Sequence, residues 1–135
     1  MRGWLSSFRL SAEERRARQE VALPKTKDTV ASFPIVVFSH SYCPLCRRVK
    51  QVLTEQGATF KAIELDEESD GSAIHSALMK WTGQAACPNV FIGGKHVGGY
   101  NVVMSRHREG KLVPLLVEAG AIAAAAPAPA SAPAD

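Results

Sequence analysis

Two cysteines that are separated by two residues, Cys43 and Cys46, form the part of this sequence best suited to chemistry. The apolar run 34–38, Pro-Ile-Val-Val-Phe, precedes them and has the composition of a buried strand. After them, apolar residues recur at the spacing of one helix face over 49–53. A Cys-x-x-Cys pair in a tight turn between a strand and a helix is typical of a redox-active dithiol.

The position of each thiol predicts a different role for it. Cys43 falls at the N-terminus of the predicted helix, where free N–H groups and the helix dipole favour an anion. Its pKa is therefore expected to drop from ~8.5 into the range of roughly 3.5–7.5. Pro44 suits the first helical position, because its missing N–H would have no helical partner. Lys50 adds positive charge nearby. Cys46 lies one turn deeper and should be less exposed, so we expect Cys43 to attack and Cys46 to resolve.

The alternative use of a Cys-x-x-Cys pair is as half of a zinc site. Such a site needs a second pair of ligands, whereas the sequence offers one further cysteine, Cys87, and four histidines that form no paired ligand motif. The flanking strand and helix favour the redox interpretation, and no metal is expected.

Composition limits the class of protein. The chain has 135 residues, 46% of them apolar and 21% charged, which suits one globular domain. A net charge of +3 is too small to indicate nucleic acid as a partner. Three cysteines do not make a disulfide framework, and no apolar run approaches the ~20 residues of a membrane span. We expect a monomer in the cytoplasm.

Residues 1–24 are predicted to be an N-terminal extension. Residues 1–10 combine apolar side chains with two arginines and faintly resemble an organelle-targeting leader. Glutamates follow at once, whereas transit peptides are poor in acids, so a partly ordered tail is preferred. Ser11 and Glu14 form a capping-box pattern that predicts a charged helix over 11–21, and Pro24 is expected to close it.

Strand and helix patterns alternate over the rest of the chain. A short helix over 25–31 precedes strands at 35–39, 59–64, 89–92 and 95–98 and helices at 44–56, 72–82, about 100–109 and 111–118. Ser72 is the expected cap of its helix, and Gly93-Gly94 predicts a hairpin turn. The order predicts an α/β fold in which helices flank a four-stranded mixed sheet. From residue 121 onwards, the Ala/Pro-rich sequence predicts a disordered tail, 121–135.

Four motifs occur in order along the chain: residues 37–46 (VFSHSYCPLC), 82–84 (TGQ), 87–94 (CPNVFIGG) and 98–99 (GG). Together they resemble the dithiol glutaredoxins, in particular the plant class with proline between the cysteines. The resemblance covers about residues 25–120 and implies a thioredoxin-like fold. It also implies glutathione-dependent reduction of disulfides, protein disulfides and protein–glutathione mixed disulfides, with glutathione reductase and NADPH as the indirect recycling system.

The resemblance further implies a glutathione groove. Pro88 would be a cis-proline, and the backbone of Cys87 would pair with the cysteine of glutathione. Gln84 and the residue at position 40 would hold its glycine carboxylate, and residues 99–101 its glutamyl end. The residues implied in binding are His40, Tyr42, Gln84, Cys87, Pro88, Gly99, Tyr100 and Asn101.

The chain departs from the family pattern at both ends of this groove. His40 replaces a lysine, Leu45 replaces an aromatic residue, Ala86-Cys87 replaces Thr-Val, and residues 100–102 replace Cys-Asp-Asp. Because a charge-assisted contact contributes roughly 1.5–3 kcal/mol, weaker glutathione binding than the family norm is predicted. Cys87 is either a third redox thiol or, as we prefer, a small apolar filler.

Three other functions remain open at this point. A thioredoxin-type reductase would be recycled by a flavoprotein. An iron–sulfur carrier would share a cluster between two chains through Cys43, although Pro44 argues against that mode in this family. A non-catalytic interaction module would explain the altered groove and the unusual ends of the chain.

Overall fold

The computed structural model describes residues 11–122. Within them the chain forms α1 (Ala12–Ser32), β1 (Ile35–Ser39), α2 (Pro44–Glu55), β2 (Lys61–Glu64), α3 (Gly71–Thr82), β3 (Asn89–Ile92), β4 (Lys95–Gly98), α4 (Tyr100–Arg108) and α5 (Leu112–Glu118). The predicted elements from residue 35 onwards are confirmed, and each of their ends lies within two residues of the predicted position. None of these helices is both long and apolar enough to cross a membrane.

The four strands form one mixed sheet in the order β2-β1-β3-β4. β1 pairs with β2 in parallel and with β3 in antiparallel fashion, and β3 and β4 form the predicted hairpin. Gly93 and Gly94 have φ values of 61° and 80°, and two positive φ angles in a two-residue turn are what favours glycine there. The predicted fold class, an α/β fold with a four-stranded mixed sheet flanked by helices, is confirmed.

Both faces of the sheet are buried, which explains why β1 and β3 have no polar–apolar alternation. Successive strand residues point to opposite faces. One face joins a core cluster with α2, α4 and α5, which includes Val37, Val52 and Leu116. The other face joins a cluster with α1 and α3, which includes Phe38 and Phe91. The sheet is therefore a rigid platform held from both sides, and the loop after β1 projects from its edge.

The N-terminal region differs from the prediction, because Pro24 does not end a helix. α1 is one continuous helix from Ala12 to Ser32 with Pro24 inside it. A proline within a helix removes one hydrogen bond, at a cost of about 3 kcal/mol. Packing offsets that cost, since α1 buries Ala22, Thr26 and Val30, and Ala22 packs against Ala73 and Ala77 of α3. The predicted boundary between an extension and a domain at 24/25 therefore lies inside a helix.

The predicted N-terminal cap is found in α1 but not in α3. The capping box of α1 is confirmed: Ser11 N donates to Glu14 Oε1 over 2.9 Å, and Glu14 N donates to Ser11 Oγ over 3.1 Å. α3 begins at Gly71, so the predicted cap at Ser72 is wrong. The cap position belongs to Asp70, whose carboxylate makes no cap bond and accepts instead from Lys25 Nζ at 2.6 Å.

Residues 121 and 122 differ from the prediction, because both belong to the folded domain and not to a disordered tail. Ala121 is buried and Ile122 packs against the first core cluster. The carbonyl oxygen of Ala121 accepts from Thr59 N at 2.9 Å, which ties the segment after α5 to the segment before β2. The expectations for the leader-like residues 1–10 and for residues 123–135 lie outside the described residues.

Candidate active site

Cys43 occupies the N-cap position of α2, and Pro44 follows at the first helical position. Its backbone is extended, with φ −90° and ψ 116°, and its sulfur accepts a hydrogen bond from Cys46 N at 3.2 Å. The turn before it is closed by a bond from Cys43 N to His40 O over 3.0 Å. The sulfur of Cys43 therefore lies beside the N–H groups of the first turn of α2, which have no partner within the helix. The local sequence predicts this position.

The surroundings of Cys43 stabilise its thiolate. Partial burial by itself would raise the pKa of the Cys43 thiol. Hydrogen bonds from the Cys46 side chain and from the Cys46 and Leu45 backbone oppose that effect, as does the positive charge of Lys50. The net result is a pKa below the ordinary value of a cysteine. A thiolate is the nucleophilic form of cysteine, so this sulfur is suited to attack.

Cys46 has the opposite character. It is fully buried, which confirms the predicted difference in exposure. Burial raises the pKa of the Cys46 thiol to about 12, and its hydrogen bond to the Cys43 sulfur adds to the rise. Both cysteines are free, so the structure describes the reduced dithiol.

Cys87 and Pro88 lie in the loop before β3, on the other side of the site. The Cys87–Pro88 peptide bond is cis, as the resemblance implied. Cys87 is half-buried and packs against the second core cluster. Burial raises its pKa to about 11, with contributions from Cys43 and Glu64. This environment favours the interpretation of Cys87 as a filler over that of a third redox thiol.

His40 and Tyr42 flank the turn that leads to Cys43. Their rings lie 5.3 Å apart between centroids, and Tyr42 is 69% exposed, so its ring is open to a ligand. The ring of His40 also lies 6.4 Å from that of His75 on α3. His75 is half-buried, and its Nε2 lies 2.6 Å from Ala85 O. It belongs to the surroundings of the site, which its sequence position could not show.

Asp66 is a second residue that sequence reasoning missed. Its carboxylate accepts from Ser41 N at 2.9 Å and from the Ser41 hydroxyl. These bonds lower the pKa of Asp66, mainly through the Ser41 side chain. They fasten the turn before Cys43 to the loop after β2, across a separation of 25 residues.

Gln84 lies at the site, but its amide nitrogen is already engaged. Gln84 Nε2 donates to Ala86 O at 2.9 Å and to Pro88 O at 3.1 Å, which uses both of its donors. Gln84 therefore holds the loop that carries the cis-proline. Its own backbone N–H donates to Thr82 Oγ1 at 3.2 Å, and Thr82 Oγ1 also lies 3.4 Å from the buried Asn89 Nδ2. Thr82 and Asn89 belong to the motifs at 82–84 and 87–94, and the structure adds that both are positioning residues of this loop.

The start of α4 lies beside the same loop. Gly99 is the N-cap residue of α4, so no side chain caps the first N–H groups of this helix. A Cβ at Gly99 would lie 3.4 Å from both Gln84 Nε2 and Pro88 O. Asn101 is exposed, whereas Tyr100 is half-buried and packs against the first core cluster. The fold thus brings residues 40–46, 84–88 and 99–101 to one edge of the sheet. Within residues 11–122, no three His, Cys, Asp or Glu side chains are arranged to hold a metal ion.

Comparison with known proteins agrees with this architecture. The family model described as Glutaredoxin matches residues 35–97. Glutaredoxin-C6 of Oryza sativa subsp. japonica is 63% identical over 106 residues, which are 78% of this chain and 95% of that protein. Glutaredoxin-C1 of Arabidopsis thaliana is 56% identical over 123 residues, which are 91% and 95% of the two chains.

A solved structure agrees as well. The crystal structure of a buckwheat glutaredoxin–glutathione complex superposes with a TM-score of 0.78 at 56% identity, and the match covers 79% of this chain and 97% of that one. The fold and the dithiol define a thiol–disulfide oxidoreductase of thioredoxin-like architecture. The chain belongs to the glutaredoxin family. The predicted enzyme class, a glutathione-dependent oxidoreductase, is thereby confirmed.

Proposed function

We propose that this glutaredoxin reduces low-molecular-weight disulfides, protein disulfides and protein–glutathione mixed disulfides, with glutathione as the reductant. Cys43 is the nucleophile and Cys46 is the resolving thiol. The observation that carries the proposal is the contrast between the two sulfurs. Cys43 is half-buried and accepts an N–H bond at a helix start, whereas Cys46 is fully buried one turn deeper with a pKa of about 12.

With a protein–glutathione substrate, one thiol suffices. The Cys43 thiolate attacks the glutathione sulfur, a bond forms between these two sulfurs, and the protein leaves as a thiolate that takes up a proton. A second glutathione, as thiolate, then attacks the glutathione sulfur held on Cys43. Glutathione disulfide leaves and the Cys43 thiolate returns. The cycle oxidises the sulfur of one incoming glutathione, which leaves joined to the glutathione of the mixed disulfide, and it reduces the protein sulfur to a thiol.

With a protein disulfide, the second thiol is needed. Attack by Cys43 gives a mixed disulfide with the substrate and frees one substrate thiol. Cys46 loses its proton, attacks the Cys43 sulfur and releases the second substrate thiol, which leaves a Cys43–Cys46 disulfide. Two glutathiones then reduce that bond. The high pKa of Cys46 leaves little thiolate. The mixed disulfide is held next to it, and this high effective concentration compensates for the low thiolate fraction.

The glutathione groove is proposed on the edge formed by residues 40–46, 84–88 and 99–101. The backbone of Cys87 before Pro88 would pair with the glutathione cysteine, and His40 would meet the glycine carboxylate. The start of α4 at Gly99 would offer N–H groups to the glutamyl carboxylate, beside Tyr100 and Asn101. The glutathione complex of the buckwheat relative supports the proposal. Gln84 would act mainly by holding the loop, since its donors are engaged.

A coupled assay tests the proposal. Reduction of a small disulfide is followed through NADPH oxidation with glutathione and glutathione reductase, and in parallel with thioredoxin reductase in place of the glutathione system. We expect turnover with the glutathione system and negligible turnover with thioredoxin reductase. Turnover with thioredoxin reductase alone, or none with either, would overturn the proposal.

A further inference from the structure

An ion pair joins α2 to the parallel strands beneath the dithiol. Lys50 Nζ lies 2.7 Å from Glu64 Oε2 and 3.4 Å from Ser39 Oγ. The Ser39 hydroxyl donates to the other oxygen of the Glu64 carboxylate. Ser39 and Glu64 end β1 and β2 and are partners in the parallel register. The three groups therefore meet at the edge of the sheet from which the chain turns into Cys43.

This pair is more shielded from water than an ordinary surface pair. The Lys50 and Glu64 side chains are 23% and 18% exposed, and Ser39 is fully buried. The ion pair between Lys25 and Asp70 is 53% and 26% exposed. Charges that are partly buried are screened much less by salt and solvent, so the Lys50–Glu64 pair acts on its neighbours over a longer range.

Both members of the pair act on thiols of the site, with opposite signs. Lys50 lies one helical turn after Cys46, and its charge helps to lower the pKa of Cys43. The carboxylate of Glu64 contributes to the raised pKa of Cys87. Because the two charges are in contact, each partly cancels the effect of the other on the dithiol.

We propose that Lys50 and Glu64 are positioning residues of the dithiol, a balanced pair in which Glu64 limits how strongly Lys50 holds Cys43 in its ionised form. This inference rests on the proposed function, in which Cys43 is the nucleophile. Exchange is fastest when the attacking thiol has a pKa near the ambient pH. A thiolate that is stabilised further is a weaker nucleophile, and it makes the dithiol a stronger oxidant. Glu64 thus keeps the dithiol a reductant.

Charge-neutralising variants test the balance. Glu64→Gln keeps the size of the side chain and should lower the midpoint of Cys43 ionisation, whereas Lys50→Met should raise it. Each shift should be on the order of one pH unit, and the double variant should return close to the wild type. The readout is the pH dependence of iodoacetamide alkylation at Cys43, followed by mass spectrometry of its peptide. These variants leave the other ionisable residues around the dithiol unsubstituted, namely His40, Asp66, His75 and Cys87.

A second readout is the dithiol equilibrium in glutathione redox buffers, where Glu64→Gln should be easier to reduce than the wild type. The matched controls are Lys25→Met and Asp70→Asn, which break an ion pair elsewhere and should leave the midpoint unchanged. If the pair has only a structural role, Lys50→Met and Glu64→Gln should move the midpoint of Cys43 ionisation in the same direction or not at all. Either result would overturn the proposal.

If Lys50→Met does not fold cooperatively, the sign of the Glu64→Gln shift decides. A raised or unchanged midpoint in that variant contradicts the balance. Alkylation needs no glutathione turnover, so an inactive wild type in the coupled assay would overturn the proposed function while leaving this measurement valid.

Discussion

Cys43 and Cys87 are two half-buried free thiols of the same site in opposite chemical environments. Cys43 accepts an N–H bond at the start of α2, and its pKa is lowered. Cys87 lies in the loop before β3, where burial raises its pKa to about 11. The comparison teaches that closeness to an active site does not make a cysteine reactive. Donors aimed at the sulfur do so, because they stabilise the thiolate that burial would otherwise disfavour.

The largest expected effect on activity comes from replacing Cys43, whose sulfur accepts those hydrogen bonds. Cys43→Ser should abolish reduction of both glutathionylated proteins and protein disulfides, since no other thiol at the site is accessible and ionised. Cys46→Ser should keep most deglutathionylation and lose protein-disulfide reduction. Both activities are measured in the coupled assay with a glutathionylated peptide and with a protein disulfide. Equal losses in the two variants would contradict the assigned division of roles.

The second prediction compares the two thiols directly by alkylation at pH 7. With a pKa of about 11, Cys87 is thiolate in about one molecule in ten thousand. Cys43 should react at least about tenfold faster, even after allowing for the lower intrinsic nucleophilicity of a more acidic thiol. Its rate should rise with pH through the lowered pKa and level off above it, with a midpoint below that of an ordinary cysteine.

Mass spectrometry of the two cysteine peptides after a short iodoacetamide pulse separates these rates. Protein unfolded in urea is the control, in which the two thiols should react alike. Comparable alkylation rates in the folded protein would contradict the predicted difference in reactivity between Cys43 and Cys87.

The third prediction concerns the ends of the proposed groove, where charge is missing. Restoring it with His40→Lys and Asn101→Asp should lower the Michaelis constant for glutathione roughly tenfold. A charged hydrogen bond contributes roughly 1.5–3 kcal/mol, but Asn101 is exposed, so part of that gain is lost to solvent screening. Steady-state kinetics with varied glutathione measure it. An unchanged constant would show that these positions do not contact the tripeptide.

The smallest effect is expected at Cys87. Cys87→Ser keeps the backbone before Pro88 and removes the third thiol. Because a buried structural thiol is inert, kcat/KM should change by less than about twofold. Thiol counting under mild oxidation provides the control, in which the variant should still form the Cys43–Cys46 disulfide. A large loss of activity, or a disulfide that requires Cys87, would restore the interpretation of this residue as a redox thiol.

Features with a local cause were predictable from sequence. The buried run of β1, the helix after Cys43 and the Gly93-Gly94 turn each depend on neighbours within a few residues. The same is true of the different exposure of Cys43 and Cys46, because one helical turn separates them. The positions of the strands and of the dithiol therefore follow from the order of the residues alone.

Features that depend on distant partners could not be derived in this way. Pro24 is a valid helix breaker in isolation, and only the packing of α1 on α3 carries the helix through it. Ala121 begins an alanine-rich run whose composition predicts no core residue, and only the packing of the elements shows that it is buried.

The site follows the same division. The sequence by itself determined which sulfur lies at a helix N-terminus, because an apolar strand, a turn and Pro44 are consecutive. Tertiary structure alone decided that Asp66 holds Ser41, that His75 approaches His40, and that Lys50 meets Glu64. Periodicity and spacing carry information over a turn or a strand. Contacts between residues 14 or more positions apart depend on how the elements pack.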